Sequence, residues 1–275
     1  MYKLHSGNDT LNIDSPKIMG VINCTPDSFY AGSRTTNINH AKAMIEKMVE
    51  EGVDILDIGG RSSRPGSEEI SDEEEIQRIS EIILFVAKAY PSIWMSIDTT
   101  KSSVAQYAVE HGCRIVNDIS AGNMDPLMLE KVAHMKVPFV CMHMQGTPDT
   151  MQKNPTYKKI AEDIEAFFTK KIDLLTSKGI SETIIDPGFG FGKTIEHNYQ
   201  LMRDLDRFTS FKKPLLVGVS RKSMIYKLLN STPEESLNGT NALNMYALMK
   251  GANILRVHDI KPAKEIIAIF QQMHA

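Results

Sequence analysis

Ten polar residues, Asn23, Asp57, Asp98, Asn117, Asp118, His143, Asp186, Lys222, Arg256 and His258, share one feature of placement. Each closes or directly follows a short run rich in Val and Ile. Asp98, Asn117 and Asp186 offer carboxylate acceptors and an amide that both donates and accepts, a set suited to a flat heterocycle with an amino-pyrimidine edge and ring N–H groups. Lys222 can donate to a ring carbonyl or nitrogen. Arg64, Arg256 and His258 supply positive charge suited to phosphate, and Asn23 offers an oxygen to Mg²⁺. The inventory suggests a fused-ring, phosphate-bearing substrate. Asp57, Asp118 and Asp259 read equally well as groups of the site or as plain helix caps and loop anchors. Cys24, Cys141 and Met142 read as packing residues.

The stretch "TIIDPGFGFGKT" (183–194) looks at first like a phosphate-binding P-loop. The spacing rejects it, because the first glycine of that motif falls on Pro187, which has no backbone N–H to donate. The dinucleotide pattern G-x-G-x-x-G fails too, since its third glycine falls on Lys193. In this reading, Lys193 and Thr194 begin or support the next helix.

The elements that must position these residues follow from periodicity. Apolar runs at 17–23, 53–59, 94–99, 114–120, 138–144, 183–188, 214–220 and 253–258 have the length and bounding residues of strands buried on both faces. Between them lie stretches of helical period, one ending near Gly52 and another starting at Ser71 or Asp72 with acids in its first turn. Eight strands alternating with eight helices predict parallel pairing and a single α/β domain, a closed (β/α)8 TIM barrel over 1–275. Residues 1–16 then form a short N-terminal lid across its other mouth.

The 275 residues are 42% hydrophobic, and Lys+Arg 31 nearly balances Asp+Glu 34. No long basic block appears, which argues against nucleic acid and anionic membrane as partners. Three scattered cysteines suit neither a disulfide framework nor a zinc site. No apolar run approaches the roughly 20 residues of a membrane span. A cytoplasmic protein is expected.

Taken in order, "INCTPDSF", "DIGGRSSRPG", "SIDTTK", "VNDISAG", "MHMQGTPDTMQKNPTY", "DPGFGFGK", "VGVSRKSMI" and "RVHD" resemble the dihydropteroate synthase family across residues 17–259. The resemblance implies a transferase that condenses 6-hydroxymethyl-7,8-dihydropterin diphosphate with 4-aminobenzoate, giving 7,8-dihydropteroate and pyrophosphate. It further implies that Asp98, Asn117, Asp186 and Lys222 hold the pterin, with Met142 and Val257 beside them. By the same analogy Asn23, Ser63, Arg256 and His258 serve the diphosphate, with Mg²⁺ at Asn23, and Arg64 helps order that site. Phe29, Pro65, Phe191, Lys222 and Ser223 surround the benzoate. Asp98, Asp186, Lys222 and Arg256 are the expected catalytic set, sulfonamides the expected mimics of the aryl amine, and a homodimer through the last helices the expected assembly.

Two departures stand out. The family usually reads "DIGGEST" where this chain has Arg61 and Ser63, and Ala31 stands where an acid is common. They keep a non-catalytic pterin-binding paralogue in view. A methyltetrahydrofolate-corrinoid methyltransferase also uses a pterin-binding barrel, but it has no diphosphate leaving group for "TPDSF", "SSRPG" and "RVHD" to serve.

Overall fold

Side chains on a strand point alternately to opposite faces, so in a closed barrel they sort into an interior set and a helix-facing set. The computed structural model, which describes residues 2–25, 34–61 and 69–274, shows that sorting. Its strands are β1 (Tyr2–Ser6), β2 (Asp9–Ile13), β3 (Lys17–Asn23), β4 (Ile55–Gly59), β5 (Trp94–Asp98), β6 (Ile115–Asp118), β7 (Phe139–Met142), β8 (Thr183–Asp186), β9 (Leu216–Val217) and β10 (Ile254–Val257). Strands β3 to β10 pair in parallel in the order β8-β7-β6-β5-β4-β3-β10-β9, and a bridge between Ile185 and Leu215 closes the ring.

The helices are α1 (Arg34–Glu50), α2 (Asp72–Ala89), α3 (Ser102–Glu110), α4 (Met128–Met135), α5 (Ile160–Ser177), α6 (Ile195–Arg203), α7 (Ser223–Tyr226), α8 (Leu237–Met249) and α9 (Ile260–Met273). Ser71 caps α2 by accepting from the Glu74 amide. Thr194 and His197 cap α6 reciprocally, so Thr194 does begin a helix. None of the helices is long and apolar enough to cross a membrane, among the described residues.

Helix-facing residues such as Ile22, Leu56, Ile97, Val116, Phe139, Ile185, Val217 and Leu255 form one large core with the helices. The interior starts apolar. Met19, Ile55, Trp94, Ile115, Val140, Ile184, Leu216 and Ile254 make a separate cluster at the strands' N-terminal ends. Residues 2–13 form an antiparallel hairpin, β1 with β2, whose Leu4 and Ile13 cap that cluster.

Two sequence expectations change in detail. The run 214–220 yields only a two-residue strand, because the chain turns after Val217 through Gly218 toward a bond from the Lys222 amide to the Val219 carbonyl. The helix expected over 233–250 is shorter, and the unforeseen α7 precedes it.

Candidate functional site

Continuing the interior rows one step toward the C-terminal mouth replaces hydrocarbon with polar groups. Two residues beyond the apolar layer stand Val21, Asp57, Ser96, Asn117, Met142, Asp186, Gly218 and Arg256. One step further, Asn23, Gly59, Asp98 and His258 reach the rim. The same parity that buries Ile55 therefore delivers Asp57 to the interior. A Cβ on Gly59 would lie 3.4 Å from Asp98, and one on Gly218 would project between Arg256 and Lys222, at 3.6 and 3.9 Å. Gly218 thus leaves open the space between two charged groups.

Arg256 organises the floor. Its Nε donates to Asp57 Oδ2 and its Nη2 to Asp98 Oδ2, each at 2.7 Å, and Asn117 Nδ2 donates to the same Asp57 oxygen at 2.9 Å. Asp57 is fully buried. Its Oδ1 and the neighbouring Ser96 Oγ are buried with no hydrogen-bond partner among the described residues. Such groups are rare in folded proteins, and this floor is polar beyond what packing requires. Burial raises the pKa of Asp98; Arg256 opposes the shift, and the carboxylates of Asp57 and Glu75 add to it. Burial also raises that of Asp186, against the pull of Lys222.

Lys222, the residue before α7, donates to the Phe189 carbonyl at 2.5 Å and stands 4.8 Å from the centre of the Phe191 ring. Burial lowers its pKa to about 8, with Asp186 opposing. Ser223 follows it as the first residue of α7. Asn23 ends β3 with its side chain exposed at the mouth, and Met142 is almost wholly buried in the interior row.

The structure revises two site expectations and places one further strand-end residue away from the mouth. Val257 cannot offer its side chain to the mouth, because strand parity turns it outward into the helix-facing core. Only its backbone borders the site. His258 stands exposed at the rim, yet the groups crowded around it, by desolvation first and then by the charge of Arg256, hold its pKa below the usual imidazole value and so disfavour the expected positive charge. Its Nδ1 lies 3.0 Å from Ser220 Oγ. His143, at a strand end like the others, is kept neutral by burial and by Lys193, with its pKa pushed down to about 2. It packs on Phe167 and Tyr157 instead of facing the mouth.

Of the three acids left open, Asp57 belongs to the site, while Asp118 and Asp259 are anchors. Asp118 accepts from the Ser120 and Gly122 amides, and Asp259 holds Arg221 in a two-bond pair. Arg61 donates to Thr100 Oγ1 at 3.3 Å; burial raises the pKa of the nearby Glu75, and Thr99, Lys101 and then Arg61 oppose that shift. Phe29, Ala31, Ser63, Arg64 and Pro65 lie outside the described residues.

A closed barrel brings three carboxylates, an amide, a lysine and an arginine together at its C-terminal mouth, a polar set able to read a flat heterocycle. The model of the pterin binding enzyme family matches residues 19–258, and the chain belongs to that family. Within it, the chain belongs with the dihydropteroate synthases. It is 40% identical to the dihydropteroate synthase of Haemophilus influenzae over 271 residues, 98% of each chain. A Yersinia pestis dihydropteroate synthase solved with a sulfonamide drug superposes with a TM-score of 0.93 at 38% identity, covering 99% of each chain. The Xanthomonas albilineans enzyme solved with 4-aminobenzoic acid gives 0.92 at 36% identity, covering 99% of this chain and 98% of that one.

Proposed function

We propose that the chain condenses 6-hydroxymethyl-7,8-dihydropterin diphosphate with 4-aminobenzoate to give 7,8-dihydropteroate and pyrophosphate, a pterin-methyl transfer in folate biosynthesis. The observation that carries this reading is the interior row that turns from hydrocarbon to Asp57, Asn117, Asp186 and Arg256 in a single step. Asp98, Asn117 and Asp186 read the amino-pyrimidine edge, and Lys222 donates to the ring. The methylene C–O bond breaks with its electron pair leaving on pyrophosphate. The aryl nitrogen forms the new C–N bond and releases its proton to solvent.

Ring nitrogens delocalise the positive charge that develops on the methylene, and the nearby carboxylates favour it. Arg256 stabilises the leaving anion. His258, whose Nδ1 lies beside Ser220 Oγ, offers a ring N–H to the same anion, and arriving negative charge would favour its protonated form. Asn23 presents one neutral oxygen, and the described residues hold no cluster of three metal-ligating side chains. That donor suits a Mg²⁺ ion that takes most of its shell from a diphosphate and water. When bound, the ion would neutralise charge on the departing pyrophosphate. Pyrophosphate release that requires both substrates tests the reading, and release with the pterin alone, or none at all, would overturn it.

The lysine adds a pH signature. Because burial lowers its pKa to about 8, Lys222 loses its proton, and with it its charged donor, as pH rises through that value. The kcat/KM for the pterin diphosphate is expected to fall over the same range. Lys222→Arg, which stays protonated, should flatten this limb even if its absolute rate is low. A limb unchanged in the variant would assign the titration to another group.

The assembly proposed is a homodimer through the last helices. Tyr246 and Met249 on α8 and Ile269 and Met273 on α9 expose 38%, 58%, 54% and 62% of their surfaces, on two helices that pack together. Light scattering at micromolar concentration should give twice the 30.8 kDa chain mass. Ile269→Asp should shift it toward that of one chain, because a buried unpaired carboxylate opposes association. The three unpaired cysteines fit a reducing cytoplasm as the place of work.

A further inference from the structure

Five consecutive backbone carbonyls, from Gly188 to Gly192, are each held by a side chain, and those side chains come from three separate segments. Lys193 Nζ donates to Gly188 O at 2.8 Å and Phe191 O at 3.0 Å. Lys222 holds Phe189 O, Gln152 Nε2 reaches Gly190 O at 2.7 Å, and the Tyr157 hydroxyl donates to Gly192 O at 2.8 Å. The amides are taken as well: Gly188 N donates to Asp186 Oδ1 and Gly190 N to Asn198 Oδ1, both at 2.7 Å. Loops ordinarily leave most such groups to water.

Lys193 is the centre of this arrangement. Its ammonium is almost wholly buried, with His143 Nδ1 at 3.1 Å and His143 O at 3.3 Å completing its surroundings. Among the described residues no carboxylate pairs with it directly. Burial lowers its pKa to about 7, with Asp186 opposing, and the four acceptors that converge on the nitrogen offset the cost of placing a donor group there. Lys193 also joins the loop after β8 to the end of β7. Gly188 shows how close that joint is: at φ +70°, a Cβ there would lie 2.0 Å from His143 O.

Asp186 sits on strand β8 and needs no such support. Phe191, in contrast, sits at the far end of the captured loop, with its own carbonyl in the grip of Lys193. We propose that Lys193, assisted by Tyr157, is a positioning residue for the aryl amine: it fixes the Phe191 ring before any ligand arrives. The proposal rests on the reading above that the ring borders the aryl-amine site. It assigns Lys193, which follows the glycines as a P-loop lysine would, to its own backbone rather than to phosphate.

Lys193→Met, one atom shorter, keeps most of the unbranched side chain and removes its donors, while Tyr157→Phe removes a single bond to the loop. Thermal melting reports whether each variant folds. In steady-state assays with each substrate varied separately, K193M is expected to raise KM for 4-aminobenzoate about 10-fold or more, and Y157F about 3-fold. KM for the pterin diphosphate should change less than about 2-fold in both. Unchanged amine KM values, or equal rises for both substrates, would overturn the proposal, and if K193M fails to fold Y157F decides.

Hydrogen exchange at the amides of Gly188, Gly190 and Phe191 gives a readout that does not depend on turnover. They should be protected in the ligand-free wild type and exchange about 10-fold faster in whichever variant folds. Rapid exchange in the wild type would show that the loop is not preset. Protected amides in a protein that releases no pyrophosphate would instead count against the functional reading, and the assignment to the aryl amine would fall with it.

Discussion

Asp57→Ala is expected to lower the unfolding free energy by about 3 kcal/mol and to abolish tight pterin binding. Asp57 is fully buried and holds two donors through one oxygen, Arg256 Nε and Asn117 Nδ2. Removing one partner of a buried pair strands the other charge, which typically costs about 3–5 kcal/mol. The lower figure applies because Arg256 keeps Asp98 at 2.7 Å. The damage does not stop at stability, since Asn117 and Arg256 lose the group that sets their orientation.

Chemical denaturation measures the first effect and calorimetry with the pterin diphosphate the second. The double variant Asp57→Leu with Arg256→Met should regain much of the lost stability, because apolar replacement of a buried pair is often neutral or better. It should not regain binding. A loss under about 1 kcal/mol in Asp57→Ala would mean that the guanidinium reorganises around Asp98 alone, and Asp57 would then not be the orienting group.

Asp186→Asn is expected to lower kcat/KM for the pterin diphosphate by about 2–4 kcal/mol, roughly 30- to 1,000-fold. The substitution preserves shape and leaves an oxygen to accept from Gly188 N, which now donates to Asp186 Oδ1 at 2.7 Å. What it removes is charge. Asp186 is 7% exposed, so water cannot replace the lost acceptor for the ring N–H groups. The asparagine amide would also turn donors toward donors, a mismatch that costs more than a missing contact. Stability should change little or rise, because the native carboxylate is buried against its preference for water. Steady-state kinetics with saturating 4-aminobenzoate decide the matter, and a kcat/KM within about 3-fold of wild type would remove Asp186 from the pterin site.

Much of this was legible in the residues alone. Short unbroken apolar runs and period-3.6 stretches set the alternation of strands and helices, and the count of eight strands set the barrel, because each pattern records a local demand for burial. The polar residues at strand ends located the mouth for the same reason: an Asp, Asn or Arg closing a buried run has few places to go except the open end of the barrel. Thr194 and Ser71 were readable as caps because capping is satisfied within a few residues.

What tertiary structure decided were partnerships across long separations in sequence. Asp57 and Arg256 are 199 residues apart, so nothing near Asp57 distinguishes a helix cap from the anchor of an arginine. Strand parity, counted from Ile55 and Gly59, would have pointed it inward, and the same count from Ile254 would have turned Val257 outward. The pKa of His258 is lowered by desolvation first and by Arg256 second, and both depend on groups brought beside it by folding. Lys193 was hidden most completely. Its sequence context is glycine and phenylalanine, and the acceptors that permit its burial include a histidine 50 residues earlier. A charge's fate depends on desolvation and on the geometry of its partners, and both exist only once the chain has folded.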